Sequence, residues 1–151
     1  MIIYTDGSCL ANGKAENSGG FGVVVADDNR NIVRTYRKDS ENTTNNREEL
    51  KAILWAMWYY GNKSNPPKVY SDSAYCVNSL TTWIWGWERN GWTKSDGNPP
   101  ENLDIMQAFV ALWRAGYEIQ LAKVKGHAND PLNNLADQLA TGKVKGENNA
   151  N

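Results

Sequence analysis

The feature that most constrains the fold is a change of rhythm near residue 45. Before it lie three short runs rich in β-branched and aromatic residues, 1–8, 20–26 and 31–38. LANGKAENSGG and DDNRN, both rich in turn formers, separate them, so they read as an antiparallel meander. After it, strand-like and helical patterns alternate. NNREELKAILWAMWYY (45–60) sets Leu50, Ile53, Leu54 and Met57 at helical spacing, with Gly61 just past its end. This helix is apolar nearly all round and is expected to be buried. KVYSD (68–72) follows as a strand, then a weak helix at 73–80, the tryptophan-rich TTWIWGWERNGW, a helix at 101–114 and the alternating strand YEIQLAKV (117–124). Asp130 and Pro131 open a last helix through Ala140, which Gly142 ends. Strands joined through helices pair in parallel. The order therefore predicts an α/β fold: a five-stranded mixed sheet, three antiparallel strands then two parallel, with helices on both faces.

The length suits one domain, placed at 1–142, and the polar KVKGENNAN (143–151) is expected to fray. Lys and Arg number 16 against 17 Asp and Glu, for a net charge of −1. That lacks the basic balance usual in nucleic-acid binders, so any such binding must rest on local geometry. Cys9 and Cys76 are too few for a disulfide framework and are not spaced as zinc ligands, which points to free thiols in a reducing compartment. With no basic leader and no long apolar run, a cytoplasmic protein is expected, with no membrane association.

The informative residues are acids in awkward places. Asp6, in IIYTDGS, shares a strand face with Ile2 and Tyr4, and a carboxylate there needs a partner or a metal. Asp72 ends the strand KVYSD at the carboxyl edge of the sheet, where ligand sites of α/β proteins form; capping the next helix is an equally good reading. In the 45–60 helix, Glu49 lies about 90° from the centre of the apolar stripe and Glu48 nearly opposite it, so Glu49 is the better site candidate. The same geometry makes Asp137 a solvated acid. His127, the one histidine, sits in the loop KGHAND, where exposure is the plain reading and proton shuttling the functional one. No nucleophile–base pair or glycine-rich phosphate loop accompanies these acids. Such a set suits hard divalent cations, Mg²⁺ above all, in phosphoryl transfer.

TDGSCLANG, TTNNREEL, VYSDSAY, WIWGWERNGW, VKGHAND and LADQLA, in that order, resemble the successive motifs of type 1 ribonuclease H, from residue 2 to about residue 142. The resemblance implies a ribonuclease H-like fold and endonucleolytic hydrolysis of the RNA strand of RNA/DNA hybrids, giving 5′-phosphate and 3′-hydroxyl ends, with two Mg²⁺ ions for which Mn²⁺ can substitute. It carries the metal-binding acids onto Asp6, Glu49, Asp72 and Asp137, against the helical pattern in the last case. His127 matches a loop histidine that assists proton transfer or product departure. Asn12, Asn45 and Asn46, with backbone atoms near Cys9, match positions that read RNA 2′-hydroxyls. Tyr75, Trp83 and Trp87 match the channel for the DNA strand, although their spacing alone reads as core. Thr44 and Arg89 match a DNA-phosphate pocket.

The sequence also departs from that pattern. Asn42 stands where an arginine is common, Gly86 where an asparagine often sits, and Ala74 where a polar side chain can reach the hybrid. In ERNGWTKSDGNPPEN, Arg89 and Lys94 face Glu88, Asp96 and Glu101, whereas well-studied relatives are strongly basic there. Weaker hybrid affinity is expected. No additional N-terminal hybrid-binding module is seen, and the resemblance implies a monomer without an obligate protein partner. A catalytically weak hybrid-binding protein of the same fold, or a transposase-like DNA nuclease, are the competing readings.

Overall fold

The computed structural model describes residues 1–10, 18–124 and 129–145. Strands β1 (Ile2–Leu10), β2 (Ser18–Ala26) and β3 (Ile32–Glu41) form the meander, each antiparallel to the next. Short strands β4 (Lys68–Ser71) and β5 (Gln120–Lys123) extend it in parallel from the free edge of β1, giving a five-stranded sheet in the order β3-β2-β1-β4-β5. The expected mixed sheet is therefore present. β5 is shorter than the alternating run 117–124 because Ile119 and Val124, both buried, flank the paired residues.

Helix α1 (Asn45–Tyr60) spans the residues its periodicity marks, and Thr44 caps it by accepting a 3.1 Å bond from the Arg47 amide. Leu50, Ile53 and Met57 bury against Ile3, Val23, Val25 and Val69 on one face of the sheet. The helix is not buried all round. Trp58 and Tyr59 at its last turn are exposed, since α4 (Leu103–Arg114) covers only part of its outer side. They lie against neighbouring rings instead, Trp58 on Tyr117 and Tyr59 on Trp55, with Arg34 over the latter pair. Nor does Gly61 end the helix by a left-handed turn, because its φ is −59°. Its reason is space: a Cβ there would lie 2.6 Å from the Tyr117 carbonyl.

The tryptophan-rich segment is helical. α2 (Ala74–Asn78) runs through a π-helical turn (Ser79–Trp83) into α3 (Ile84–Arg89), and this rod carries Leu80 and Ile84 into the core. Trp85 turns toward Phe109 and Trp113 of α4. On the sheet's second face α5 (Pro131–Ala140) packs Leu132, Ala136 and Leu139 against Tyr4, Val24 and Ala26. Asp130 caps α5 through the Leu132 amide at 2.9 Å, and Gly142 ends it at φ 78°. The chain stays attached past residue 142: Val144 packs on this second cluster, and its amide bonds the Gln138 carbonyl at 3.3 Å.

Two glycines decide how closely the helices approach. A Cβ on Gly7 would lie 2.6 Å from the Glu48 carbonyl carbon and inside the Glu49 amide. One on Gly22 would stand 2.6 Å from the Leu139 Cβ and 2.8 Å from the Ala140 amide. Gly22 is the cross-strand partner of Asp6, and Gly7 follows Asp6 in the chain. The helices carrying Glu49 and Asp137 thus come down on opposite faces of the sheet beside one aspartate.

Candidate active site

β1 pairs with β4 only as far as Tyr4 opposite Tyr70, whereas β1 itself continues to Leu10. Asp6 lies two residues beyond that last pair. There the edge of β1 is open, and side chains from both faces meet around it. Asp6 arises on the α5 face of the sheet, as Tyr4 does, while Thr5 and Gly7 face α1. Asp72 follows directly on the end of β4 and points into the same gap.

Carboxylate oxygens of Asp6, Glu49 and Asp72 lie within 4.8 Å of one another. Glu49 is buried; one oxygen accepts a 2.7 Å bond from the Thr5 hydroxyl, and Oε2 has no hydrogen-bond partner among the described residues. Asp6 Oδ1 accepts from the Gly7 amide at 3.0 Å. Among the described residues none of these carboxylates has an ion-pair partner. Asp72 does not cap α2, because the Ser73 hydroxyl does so through the Cys76 amide. That leaves its carboxylate for the cluster. Asp137 is exposed on α5, as its helical position implies; it is not among the three carboxylates within 4.8 Å of one another, but it is near enough to raise Asp6.

The electrostatics follow. Burial, then the charges of Glu49 and Asp72 and the Asp137 carboxyl, push Asp6 up to about 9. Burial pushes Glu49 up to about 7 against the lowering hydrogen bonds from Thr5 and Ser71. Asp72 is raised by the protein around its carboxyl and by Asp137, with Lys123 opposing. An all-oxygen donor set, crowded by mutual repulsion and including an orphaned buried oxygen, fits a hard divalent cation. The sequence pattern missed Thr5, Ser71 and Lys123. Thr5 carried a signal, being a hydroxyl at a strand position whose face is otherwise buried and apolar.

The other expected residues are arranged around this cluster. Asn45 and Asn46 project from the exposed first turn of α1, one turn ahead of Glu49. Thr44 uses its hydroxyl as an acceptor in capping. Cys9 is half-buried, its thiol 3.4 Å from the Thr43 carbonyl. Trp83 is not core, and Trp87 is half-buried against the core's edge. Trp83 is 44% exposed, and Tyr75, Trp83 and Trp87 form a row with ring centroids 6.3 and 6.2 Å apart along the helical rod. Trp85 is half-buried like Trp87 but turns to the other side, toward Phe109 and Trp113 of α4. Arg89 is exposed at the end of α3 without a protein partner among the described residues. Asn12 and His127 lie outside the described residues.

The departures from the pattern acquire physical reasons. Asn42 adopts φ 51°, a left-handed conformation that asparagine tolerates better than arginine. A Cβ at Gly86 would meet only the Arg89 side chain, at 3.9 Å, so the space of a larger residue is open there. Of the cations near the tryptophan-rich segment, Arg114 pairs with Glu88 and Lys94 with Asp96.

The model of the RNase H family matches residues 1–145. A ribonuclease H of Caldanaerobacter subterraneus is 39% identical over 146 residues, covering 95% of this chain and 90% of the relative. One of Caldicellulosiruptor saccharolyticus is 36% identical over 148 residues, covering 96% of both. Among solved structures, a type 1 RNase H with the type 2 active-site motif superposes with a TM-score of 0.75 at 32% identity, covering 97% of this chain and 74% of that one. On this agreement of sequence, fold and clustered acids, the chain belongs to the ribonuclease H family.

Proposed function

We propose that this chain hydrolyses the RNA strand of RNA/DNA hybrids endonucleolytically, leaving 5′-phosphate and 3′-hydroxyl ends, at the Asp6–Glu49–Asp72–Asp137 cluster. The observation that carries the reading is the convergence of acids from β1, α1 and the end of β4 within 4.8 Å, with no ion-pair partner among the described residues. A protein that merely held a hybrid would have no use for clustered negative charge beside phosphates. The four acids would hold two Mg²⁺ ions, with Mn²⁺ able to substitute, and the chemistry supplied there would be charge neutralisation, activation of a water and stabilisation of the leaving oxygen.

The protein's own contribution is orientation. Thr5 fixes the Glu49 carboxylate and the Gly7 amide fixes that of Asp6. Asn45, Asn46, Asn12 and backbone near Cys9 bind 2′-hydroxyls of the RNA strand, the group that distinguishes it from DNA. Tyr75, Trp83 and Trp87 pack against deoxyribose of the other strand, while Thr44 and Arg89 hold its phosphate. His127 moves a proton during the reaction or helps product leave. The reading carries with it a monomeric cytoplasmic enzyme; among the described residues no helix is long and apolar enough to cross a membrane.

Labelled RNA/DNA hybrid, duplex DNA and single-stranded RNA, each incubated with Mg²⁺, test it. Cleavage of the hybrid alone, lost in Asp6→Asn, is expected. Cutting of duplex DNA instead would favour a DNA nuclease of the same fold, and tight hybrid binding without cleavage would favour a pure binder. Affinity measured against salt gives a second expected outcome. Each cation on a phosphate adds about 0.9 to the slope of log affinity on log salt. With Arg114 and Lys94 already paired to acids, the slope should be shallower than in relatives with a basic segment here. A slope as steep as theirs would contradict the charge argument.

A further inference from the structure

Two glutamates stand side by side in α1, and the proposed reaction uses only Glu49. Glu48 is not the outward-pointing acid that the helical pattern expects: it is 0% exposed. The first turn of α1 is covered on that side too, by the end of β3 and the connection that follows it. Glu48 Oε2 accepts a 2.7 Å bond from the Thr43 hydroxyl and a 2.9 Å bond from the Lys51 ammonium, which also donates to Ser40. Its other oxygen is buried without a partner among the described residues. A single carboxylate thus joins the end of β3 (Ser40), the connection (Thr43) and α1 (Lys51).

The segment held by this network is the corner 42–46, which turns through the left-handed Asn42 and presents Thr44, Asn45 and Asn46. Among the described residues, further contacts of the corner come from two thiols and a glycine. The Cys9 thiol meets the Thr43 carbonyl at 3.4 Å, and the Cys76 thiol meets the Asn46 carbonyl at 3.7 Å. Gly19 leaves room for the Thr43 methyl, which a Cβ would approach to 2.7 Å. Stability alone does not require a carboxylate here, because replacing both partners of a buried ion pair with well-packed apolar residues is commonly neutral or stabilising, although removing one partner is costly. An apolar side chain, however, cannot dictate where the Thr43 hydroxyl points, and Thr43 immediately precedes the cap of α1.

We propose that Glu48 is a positioning residue: by holding Thr43 it sets the 42–46 corner and so aims Asn45 and Asn46 at the 2′-hydroxyls of the RNA strand. This rests on the hybrid-hydrolysis reading above. Glu48→Leu should raise KM for the hybrid about 10-fold, the equivalent of about one lost substrate hydrogen bond, with kcat held within about twofold and Tm lowered, because the buried Thr43 hydroxyl loses that acceptor. Thr43→Val, which breaks the same bond from its other end, should raise KM alike. Glu48→Gln keeps an acceptor for Thr43 and should restore KM to within about twofold of the parent. If Glu48→Leu fails to fold, Thr43→Val against Glu48→Gln decides the matter. Unchanged KM in Thr43→Val with an active parent overturns the positioning role alone. A fall in Tm accompanied by loss of kcat at constant KM would show a structural role and overturn it as well. A parent that cleaves no hybrid removes the substrate reading and this proposal together.

Discussion

Asp6→Asn is expected to abolish hybrid cleavage while making the metal-free protein more stable. The loss of activity should be about 10³-fold or more, because the residue at the centre of the cluster is the one that approaches Glu49, Asp72 and Asp137 together. The gain in stability comes from the same crowding. Asp6 is raised from 3.8 to about 9, and Glu49 from 4.5 to about 7. Both folded-state values lie above the unfolded ones, so the native protein holds protons that the unfolded chain releases. The stability they contribute is complete below about pH 4 and is lost as pH rises toward about 9. Metal-free parent protein should therefore weaken across that range relative to Asp6→Asn, by about 1–3 kcal/mol at pH 8. Thermal denaturation in chelator at pH 5 and pH 8 measures this. Adding Mg²⁺ should raise the parent's Tm and leave that of Asp6→Asn nearly unmoved, since only a ligand that binds the native state shifts the transition. A mutant less stable than the parent at pH 8 without metal would show that the acids do not repel as their arrangement implies.

The second large effect concerns the two glycines beside Asp6. Gly7→Ala puts a methyl group against the backbone of Glu48 and Glu49, and Gly22→Ala puts one against that of Ala136 and Ala140. Neither obstacle is a flexible side chain that can swing away, so a helix must lift off the sheet in each case. Each substitution should cost about 2–4 kcal/mol. Each should also lower activity beyond the loss of folded protein, Gly7→Ala by displacing Glu49 and Gly22→Ala by displacing Asp137. Chemical denaturation together with kcat on the folded fraction checks both. Full activity and stability in Gly7→Ala would mean that α1 has freedom the close packing denies it.

Much of the fold is legible because its signals are local. The span of α1 follows from its apolar spacing, and α5 from Asp130, Pro131 and Gly142, whose roles depend only on their immediate neighbours. The parallel pairing of β1, β4 and β5 follows from connectivity alone. Where the reading failed, burial was set by distant elements. Trp58 and Tyr59 are exposed because α4 stops short of them, and Glu48 is buried because β3 ends beside it. Trp83, whose spacing reads as core, is 44% exposed, because the rod that carries Leu80 and Ile84 inward turns it away from α4.

For the site, the chain itself determined that Asp6 is a charge in a strand requiring compensation and that Glu49, rather than Glu48, faces the sheet. Matched motifs, not pattern, nominated Asp137. Tertiary structure alone decided that Asp6, Glu49 and Asp72 converge, with Asp137 beside them, because they arise on different elements and approach one another where β4 stops short of β1. The physical reason is that a carboxylate's cost, and hence its use, depends on which other charges share its low-dielectric surroundings. Those neighbours are assembled from residues 6, 49, 72 and 137, far apart in the chain and brought together by the packing of α1 and α5 against Gly7 and Gly22.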